Sequence, residues 1–108
     1  MTGIIYALNR LKGEQKLKEM VGDAALKGNR HIRYVRNRDH SFVEFDNGDI
    51  WRVFGPDISA RGYKWDFCFI DAAIEKEIVD EVIIPRAAVY LWDSPRAQIP
   101  LKERMCYF

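Results

Sequence analysis

The sequence predicts an α/β protein of the α+β kind, in which an N-terminal helix or helix pair packs on a mixed sheet of about five strands. Three observations lead to this prediction: helically spaced apolar residues near the N-terminus, an Asn47-Gly48 β-hairpin, and a later strand–helix–strand pattern typical of a C-terminal βαβ-like unit. With 108 residues, 48% of them hydrophobic, the chain is expected to form a single small globular domain, 1–108.

The N-terminal part is predicted to be helical. Its first apolar residues recur at helical spacing: Ile4, Ile5, Leu8 and Leu11. Thr2 is available as an N-cap, and the phase of the pattern breaks at Gly13. A second apolar set then leads to Lys27 and Gly28, a pair that favours a helix C-terminus. We therefore expect one kinked helix or two short helices, with the break at Gly13.

Three strands are expected next, over 31–36, 41–46 and 49–54, where β-branched and aromatic residues are frequent. The Asn47-Gly48 dipeptide between the last two predicts a two-residue hairpin with a type I′ turn, because that turn requires positive φ at both central positions. Residues 58–64 are expected to form a loop.

The second half of the chain supplies the βαβ-like pattern. The apolar run from Trp65 to Ile70 predicts a buried, central and parallel strand. Asp71 to Ile83 has helical periodicity and an acidic outer side, and Pro85 is expected to stop this helix. Ala87 to Trp92 predicts another strand. The segment from Arg96 onward has no clear pattern.

The composition favours a cytoplasmic protein. No apolar run is long enough to cross a membrane, and the N-terminus lacks the basic region and cleavage site of a secretory signal. The two cysteines do not form a disulfide framework, and Cys68 is expected to be a buried small hydrophobic residue. We expect no membrane partner, and the sequence does not indicate an oligomeric state.

Charge is distributed unevenly along the chain. Residues 1–38 carry nine Lys or Arg and three Asp or Glu, whereas residues 39–108 carry eight and thirteen. The basic residues of the first part include a cluster that could bind a nucleic acid or another partner: Lys27, Arg30, Arg33, Arg36 and Arg38. The alternative interpretation is a solvated edge strand that is protected by its charges.

One stretch, 43–73, contains a set of motifs in a definite order. They are Phe45, Asn47, Gly48 and Ile50, then Arg61-Gly62, then Asp66, and finally Phe67 to Asp71. In order and spacing these motifs resemble the ATPase core of phage terminase large subunits and related helicase-like ATPases. The resemblance implies that Asp71 is a Walker-B-like carboxylate delivered by a buried strand. It also implies that Arg61 faces a nucleotide, DNA or a protein partner.

The chain departs from this family at the positions that catalysis requires. No G-x-x-x-x-G-K-[ST] loop occurs, and Ala72 follows Asp71 where the family has a glutamate that positions water. We therefore expect no catalysis and no cofactor. His31 and His40 lack partners at metal-ligand spacing, so no metal site is expected. Asp71 could alternatively be the N-cap of the following helix, and Arg61 a solvated residue beside a turn.

The sequence leads first to a small non-catalytic binding protein of the phage or prophage type. Such a protein would engage a protein or nucleic-acid target, and inhibition of a host or defence enzyme is one task it could have. The first alternative is a fragment or subunit of a terminase-like or helicase-like ATPase whose P-loop comes from another chain. The second alternative is a nucleic-acid-binding regulator.

Overall fold

A computed structural model describes residues 1–36, 41–55, 63–92 and 94–108 of the protein. Its strands are β1 (Thr2–Tyr6), β2 (His31–Arg36), β3 (Ser41–Phe45), β4 (Ile50–Phe54), β5 (Phe67–Ile70) and β6 (Met105–Tyr107). Its helices are α1 (Arg10–Leu26) and the short α2 (Lys76–Ile78), which continues as a π-helical turn (Val79–Ile83) and a 3₁₀ turn (Ile84–Arg86). Two more 3₁₀ turns are Pro95–Gln98 and Leu101–Glu103.

The strands form one mixed sheet in the order β2-β3-β4-β1-β5-β6. Strands β2, β3 and β4 are antiparallel, whereas β4, β1, β5 and β6 run parallel to one another. The predicted α+β class, with a mixed sheet and an N-terminal helix packed on it, is confirmed. The sheet has six strands in the described part of the chain, because β1 and β6 join it where neither was expected.

The N-terminal segment is a strand, so the predicted helix over the first residues is wrong. Ile4 packs with Tyr6 and Cys68 on one side of the sheet, whereas Ile5 packs with Leu17 and Val43 on the other. A central parallel strand is buried on both faces and therefore lacks strict alternation. A short run of this kind has the same apolar spacing as one turn of a helix. Thr2 begins the strand instead of capping a helix.

Helix α1 runs without a break through Gly13, which the sequence had indicated as a kink. A Cβ atom at this position would lie 2.5 Å from Cγ1 of Val53 and 3.3 Å from Cβ of Ala7. Glycine therefore permits a close approach of the helix to the sheet. The predicted C-terminus is confirmed, since the helix ends at Leu26 and Gly28 has a φ of 85°.

The predicted hairpin joins β3 to β4, but its turn is not type I′. Gly48 has a φ of 92°, and among the described residues no non-glycine residue has positive φ, so Asn47 does not meet the type I′ requirement. The Gly48 N–H donates to the Phe45 carbonyl at 3.0 Å, and the Phe45 N–H donates to the Asp49 carbonyl at 2.8 Å. These bonds define a three-residue connection with glycine in its left-handed position.

The parallel strand β5 was predicted correctly, although it begins at Phe67. Trp65 forms an isolated parallel bridge with Ala87, and its fully buried indole donates a hydrogen bond to the Ile83 carbonyl at 2.9 Å. The predicted strand Ala87–Trp92 is wrong beyond this bridge, because Val89 to Trp92 leave the sheet and are exposed. The predicted helix is also shorter: it starts at Lys76 and passes Pro85 within a 3₁₀ turn.

The core consists of one apolar cluster on each face of the sheet. Helix α1 covers one face through Leu17, which packs with Ile5 and Val43. The segment from Ile74 to Ala87 covers the other face around Cys68. Cys68 is buried, as predicted. In the described part of the chain, no helix has both the length and the apolar character needed to cross a membrane.

Candidate functional site

The strongest candidate site lies at the carboxyl ends of β1 and β5, beside the start of α1. The Asp71 N–H donates to the Tyr6 carbonyl at 2.9 Å, which places the residue after β5 next to the end of β1. A connection of only three residues, 7–9, then leads from β1 into α1. Because ligands of open α/β sheets bind at this edge, the chain delivers Asp71 to the place where such sheets bind phosphates.

The carboxylate of Asp71 is enclosed by groups of the protein itself. One oxygen, Oδ1, accepts hydrogen bonds from the Lys12 Nζ at 2.5 Å and from the Ala73 N–H at 3.0 Å. The other oxygen, Oδ2, accepts a hydrogen bond from the Leu8 N–H at 3.1 Å. The Asp71 side chain is 1% exposed, whereas that of Lys12 is 39% exposed. The carboxylate is therefore hydrogen-bonded at both oxygens and paired with a charge.

These contacts keep Asp71 ionised. Burial alone would raise its pKa, since desolvation penalises the charged form. The hydrogen bond from Lys12, the two backbone N–H donors and the positive charge of Lys12 outweigh the burial and lower the pKa of Asp71 below its ordinary value. The charge pair is thus a stabilising feature of the fold that operates at neutral pH.

The first turn of α1 is also satisfied from within the chain. The Asn9 side-chain oxygen accepts the Lys12 N–H at 2.8 Å and so caps the helix. The Leu8 N–H, which precedes this cap, donates to Asp71. In a P-loop, backbone N–H groups of a longer glycine-rich loop surround the phosphates, and a lysine reaches them. Here the loop is short, and the lysine binds the carboxylate instead.

Of the ion pair between Lys12 and Asp71, the sequence predicted only Asp71 as a site residue. The prediction that a buried strand ends in Asp71 is correct, but the alternative role as a helix N-cap is wrong, because α2 begins only at Lys76 after Glu75. Lys12 was missed, because the segment before it was interpreted as a helix. An Asn-x-x-Lys sequence carries no signal that would place the lysine beside a carboxylate 59 residues away.

Of the predicted basic cluster, the structure describes Lys27, Arg30, Arg33 and Arg36. All four are exposed. Arg33 and Arg36 lie in an unbroken register, opposite Glu44 and Ser41, and residues three apart in a strand face opposite sides of the sheet. Arg38 and Arg61 lie outside the described residues.

The position of strand β2 fits the charged-edge interpretation. It is the outermost strand on its side of the sheet, and charged side chains on an edge oppose pairing with another chain. The guanidinium group of Arg33 lies 5.1 Å from the ring centroid of Phe42, so it also covers an aromatic residue of β3. Arg33 thus has a contact within the chain itself.

An apolar surface run is the other notable feature. The exposed fractions of Val89, Tyr90, Leu91 and Trp92 are 51%, 51%, 67% and 81%. The rings of Tyr90 and Trp92 are stacked, with centroids 4.3 Å apart and planes 5° apart. Single exposed apolar residues are common on protein surfaces, whereas these four are consecutive in the chain.

The chain was compared with protein-family models, with curated proteins and with solved structures, and none of them matches it. Within the four described ranges, no three His, Cys, Asp or Glu side chains are grouped so that they could hold a metal ion.

Proposed function

We propose that the protein is a small non-catalytic binding protein of the phage or prophage type, and that its target is a protein. One observation carries this proposal: the carboxylate that ends β5 is already bound by Lys12, Leu8 and Ala73. A Walker-B-like aspartate acts on Mg²⁺ and nucleotide only when phosphates are held beside it. Here an internal lysine neutralises that carboxylate.

The nature of the target follows from the two exposed features. A nucleic-acid interface needs cations gathered on one face, and Arg33 and Arg36 lie on opposite faces. The run from Val89 to Trp92 offers adjacent apolar and aromatic side chains, the kind that dominate protein–protein interfaces. This run supports a protein target. Inhibition of a host or defence enzyme is one role that such an interface would serve.

The absence of turnover is tested directly with the purified chain. ATP hydrolysis and the binding of a fluorescent ATP analogue are measured with Mg²⁺ for the unaltered protein and for Asp71→Asn. We expect neither protein to bind or hydrolyse the nucleotide. Hydrolysis by the unaltered protein that disappears in Asp71→Asn would contradict the proposal.

The target class is tested with a paired set of surface variants. The double variant Tyr90→Ser/Trp92→Ser should lose a protein captured from host lysate, whereas Leu26→Ser, which alters a residue that is 88% exposed elsewhere, should retain it. A DNA or RNA mobility shift that weakens steeply with salt, and is unaffected by the double variant, would favour the nucleic-acid regulator instead.

A second candidate function is a component of an ATPase completed by another chain. The position of the charge pair favours it, since Lys12 in the first turn of α1 and Asp71 after the neighbouring parallel strand occupy the edge where nucleotide-binding sheets hold phosphates. The resemblance to terminase-like ATPases points the same way. Under this candidate, hydrolysis arises only after a partner chain is added, and Asp71→Asn abolishes it.

A further inference from the structure

The two edges of the sheet differ in charge. Strand β2 forms one edge and carries the exposed Arg33 and Arg36. Strand β6 forms the other edge and consists of Met105, Cys106 and Tyr107, without a charged side chain. An edge strand presents unpaired N–H and C=O groups, and charged side chains are one of the devices that keep another strand away. Within the four described ranges, β6 pairs with β5 and with no other strand, so its outer side is open.

Alternate residues of β6 direct their backbone groups to this open side. The Arg104 carbonyl accepts an N–H of β5 at 2.9 Å, and the Phe108 N–H donates to a carbonyl of β5 at 3.0 Å. Because alternate residues of a strand bond to the same neighbour, Cys106 also faces β5. The N–H and C=O groups of Met105 and Tyr107 therefore point away from β5. These four groups are the ones that an added strand meets.

A second copy of β6 is complementary to this edge. Opposite residues in a hydrogen-bonded antiparallel pair exchange both of their hydrogen bonds. When Met105 of each copy lies opposite Tyr107 of the other, two such pairs form, and all four outward groups of each strand are bonded. The Tyr107 side chain, which is 60% exposed in the single chain, then packs on the thioether of Met105 from the second copy. The short strand thus matches its own image in side chains as well as in backbone groups.

We propose that two copies of the chain associate by pairing their β6 strands antiparallel, which joins the two sheets into one. This symmetric contact closes after two copies, whereas pairing of β6 with β2 would continue without limit and would meet the arginines of β2. The contact is small, so the dimer is weak and reversible. The inference goes beyond the function proposed above, because it concerns a different surface from Val89 to Trp92 and a different partner.

Cys106 reports on the register of this pair. It is exposed, and in the proposed register it lies opposite Cys106 of the second copy at a non-hydrogen-bonded position, where Cα atoms are about 4.5 Å apart and a disulfide fits. Diamide takes one hydrogen from each of the two thiols, is itself reduced, and leaves the sulfurs joined. The control is Leu26→Cys/Cys106→Ser, with its thiol at a position that is 88% exposed in α1. We expect the unaltered protein to form the linked dimer at least about tenfold faster.

Matched variants at the two edges test the contact without oxidation. Tyr107 and Ile32 are both 60% exposed and lie in β6 and β2 respectively. Sedimentation equilibrium under reducing conditions, at up to about 1 mM protein, measures the dimer, and urea unfolding checks that each variant remains folded. Tyr107→Lys should weaken the dimer at least about tenfold, whereas Ile32→Lys should change it less than about twofold. Tyr107→Pro, which removes an outward N–H, should weaken it as well.

Three results would overturn the inference: a chain that stays monomeric at the highest concentration, equal effects of Tyr107→Lys and Ile32→Lys, or linkage of Cys106 no faster than in the control. A monomeric chain that loses a captured target protein in Tyr107→Lys would assign the edge to a strand of another protein, and would also overturn it.

The dimer should survive Tyr90→Ser/Trp92→Ser, and its loss in that variant would place the contact elsewhere and overturn the inference. If no dimer forms while this double variant still loses its target, the proposed function remains and only the β6 assignment is lost.

Discussion

At the scale of single residues, the pair formed by Lys12 and Asp71 has the clearest consequence. Removing the cation leaves an ionised carboxylate that is 1% exposed, with only two backbone donors. Breaking a buried ion pair by deleting one partner is strongly destabilising, although the partial exposure of Lys12 reduces the effect.

We therefore expect Lys12→Met, which keeps much of the aliphatic stem, to lower the free energy of unfolding by about 2 kcal/mol at neutral pH. Urea unfolding measures this quantity. Lys18→Met, on an exposed side of the same helix, should change it by less than about 0.5 kcal/mol. Equal effects of the two substitutions would show that the pair contributes little.

The same pair predicts how stability depends on pH. The pKa of Asp71 is lower in the folded chain than in the unfolded chain, so the unfolded state binds more protons as the pH falls. The stabilisation is fully present above the ordinary aspartate pKa of about 3.9 and is lost as the pH falls through the lower folded value.

Asp71→Asn should consequently be less stable than the unaltered protein at pH 7 and should lose less stability between about pH 5 and pH 2. Unfolding free energies measured across this range test the prediction. Asp23→Asn, at an exposed position of α1, serves as the control and should follow the curve of the unaltered protein. If the unfolding free energy of Asp71→Asn falls with pH as steeply as that of the unaltered protein, Asp71 does not have the role described.

At the scale of elements, α1 is held by its fit to the sheet more than by its intrinsic helix propensity. Its two inner glycines allow a direct test. Gly13 faces Val53 with no space for a methyl group, whereas Gly22 has no neighbouring heavy atom within 4 Å of an added Cβ. Replacing glycine by alanine in a helix interior favours the helix by about 1 kcal/mol when nothing clashes.

We expect Gly22→Ala to raise the free energy of unfolding by about 0.5 to 1 kcal/mol and Gly13→Ala to lower it by about 1 to 3 kcal/mol, because overpacking exceeds the gain in propensity. Thermal unfolding of both variants provides the comparison. Adding Val53→Ala to Gly13→Ala should recover part of the loss. A stabilising Gly13→Ala would mean that the helix does not approach the sheet so closely.

The elements that the sequence predicted correctly are those with local chemical signals. Gly28 indicated the end of a helix and Gly48 indicated a hairpin, and both have positive φ in the structure. The apolar run before Asp71 indicated a buried parallel strand. Strand β1 was missed because Ile4 and Ile5 are buried on opposite faces, which removes the alternation of a half-buried strand. Such burial is a property of the assembled sheet.

At the scale of the whole molecule, only one of the two charged residues of the candidate site could be predicted from the sequence. Asp71 follows a recognisable strand, whereas its partner Lys12 comes from a different part of the chain and meets it only because β1 pairs with β5. The basic residues of β2 illustrate the converse case, since they are neighbours in sequence but face opposite sides of the sheet. Long-range pairing decided the first outcome, and the alternation of side chains along a strand decided the second.

Stability should likewise be distributed unevenly over the molecule. Trp65 is fully buried and donates to the Ile83 carbonyl, whereas Trp92 is 81% exposed. We expect Trp65→Phe to lower the free energy of unfolding by about 2 kcal/mol, through a lost hydrogen bond and a cavity. Trp92→Phe should change it by less than about 0.5 kcal/mol. Guanidinium unfolding of the two variants tests this contrast.

The three tryptophans lie at three depths: Trp65 is 0% exposed, Trp51 is 7% exposed and Trp92 is 81% exposed. Each indole therefore emits from a different environment. Iodide in solution should quench the long-wavelength fluorescence of Trp92 first. The blue-shifted fluorescence of Trp65 should resist quenching until the chain unfolds. The native protein thus carries its own optical probes, one for events at its surface and one for the integrity of its interior.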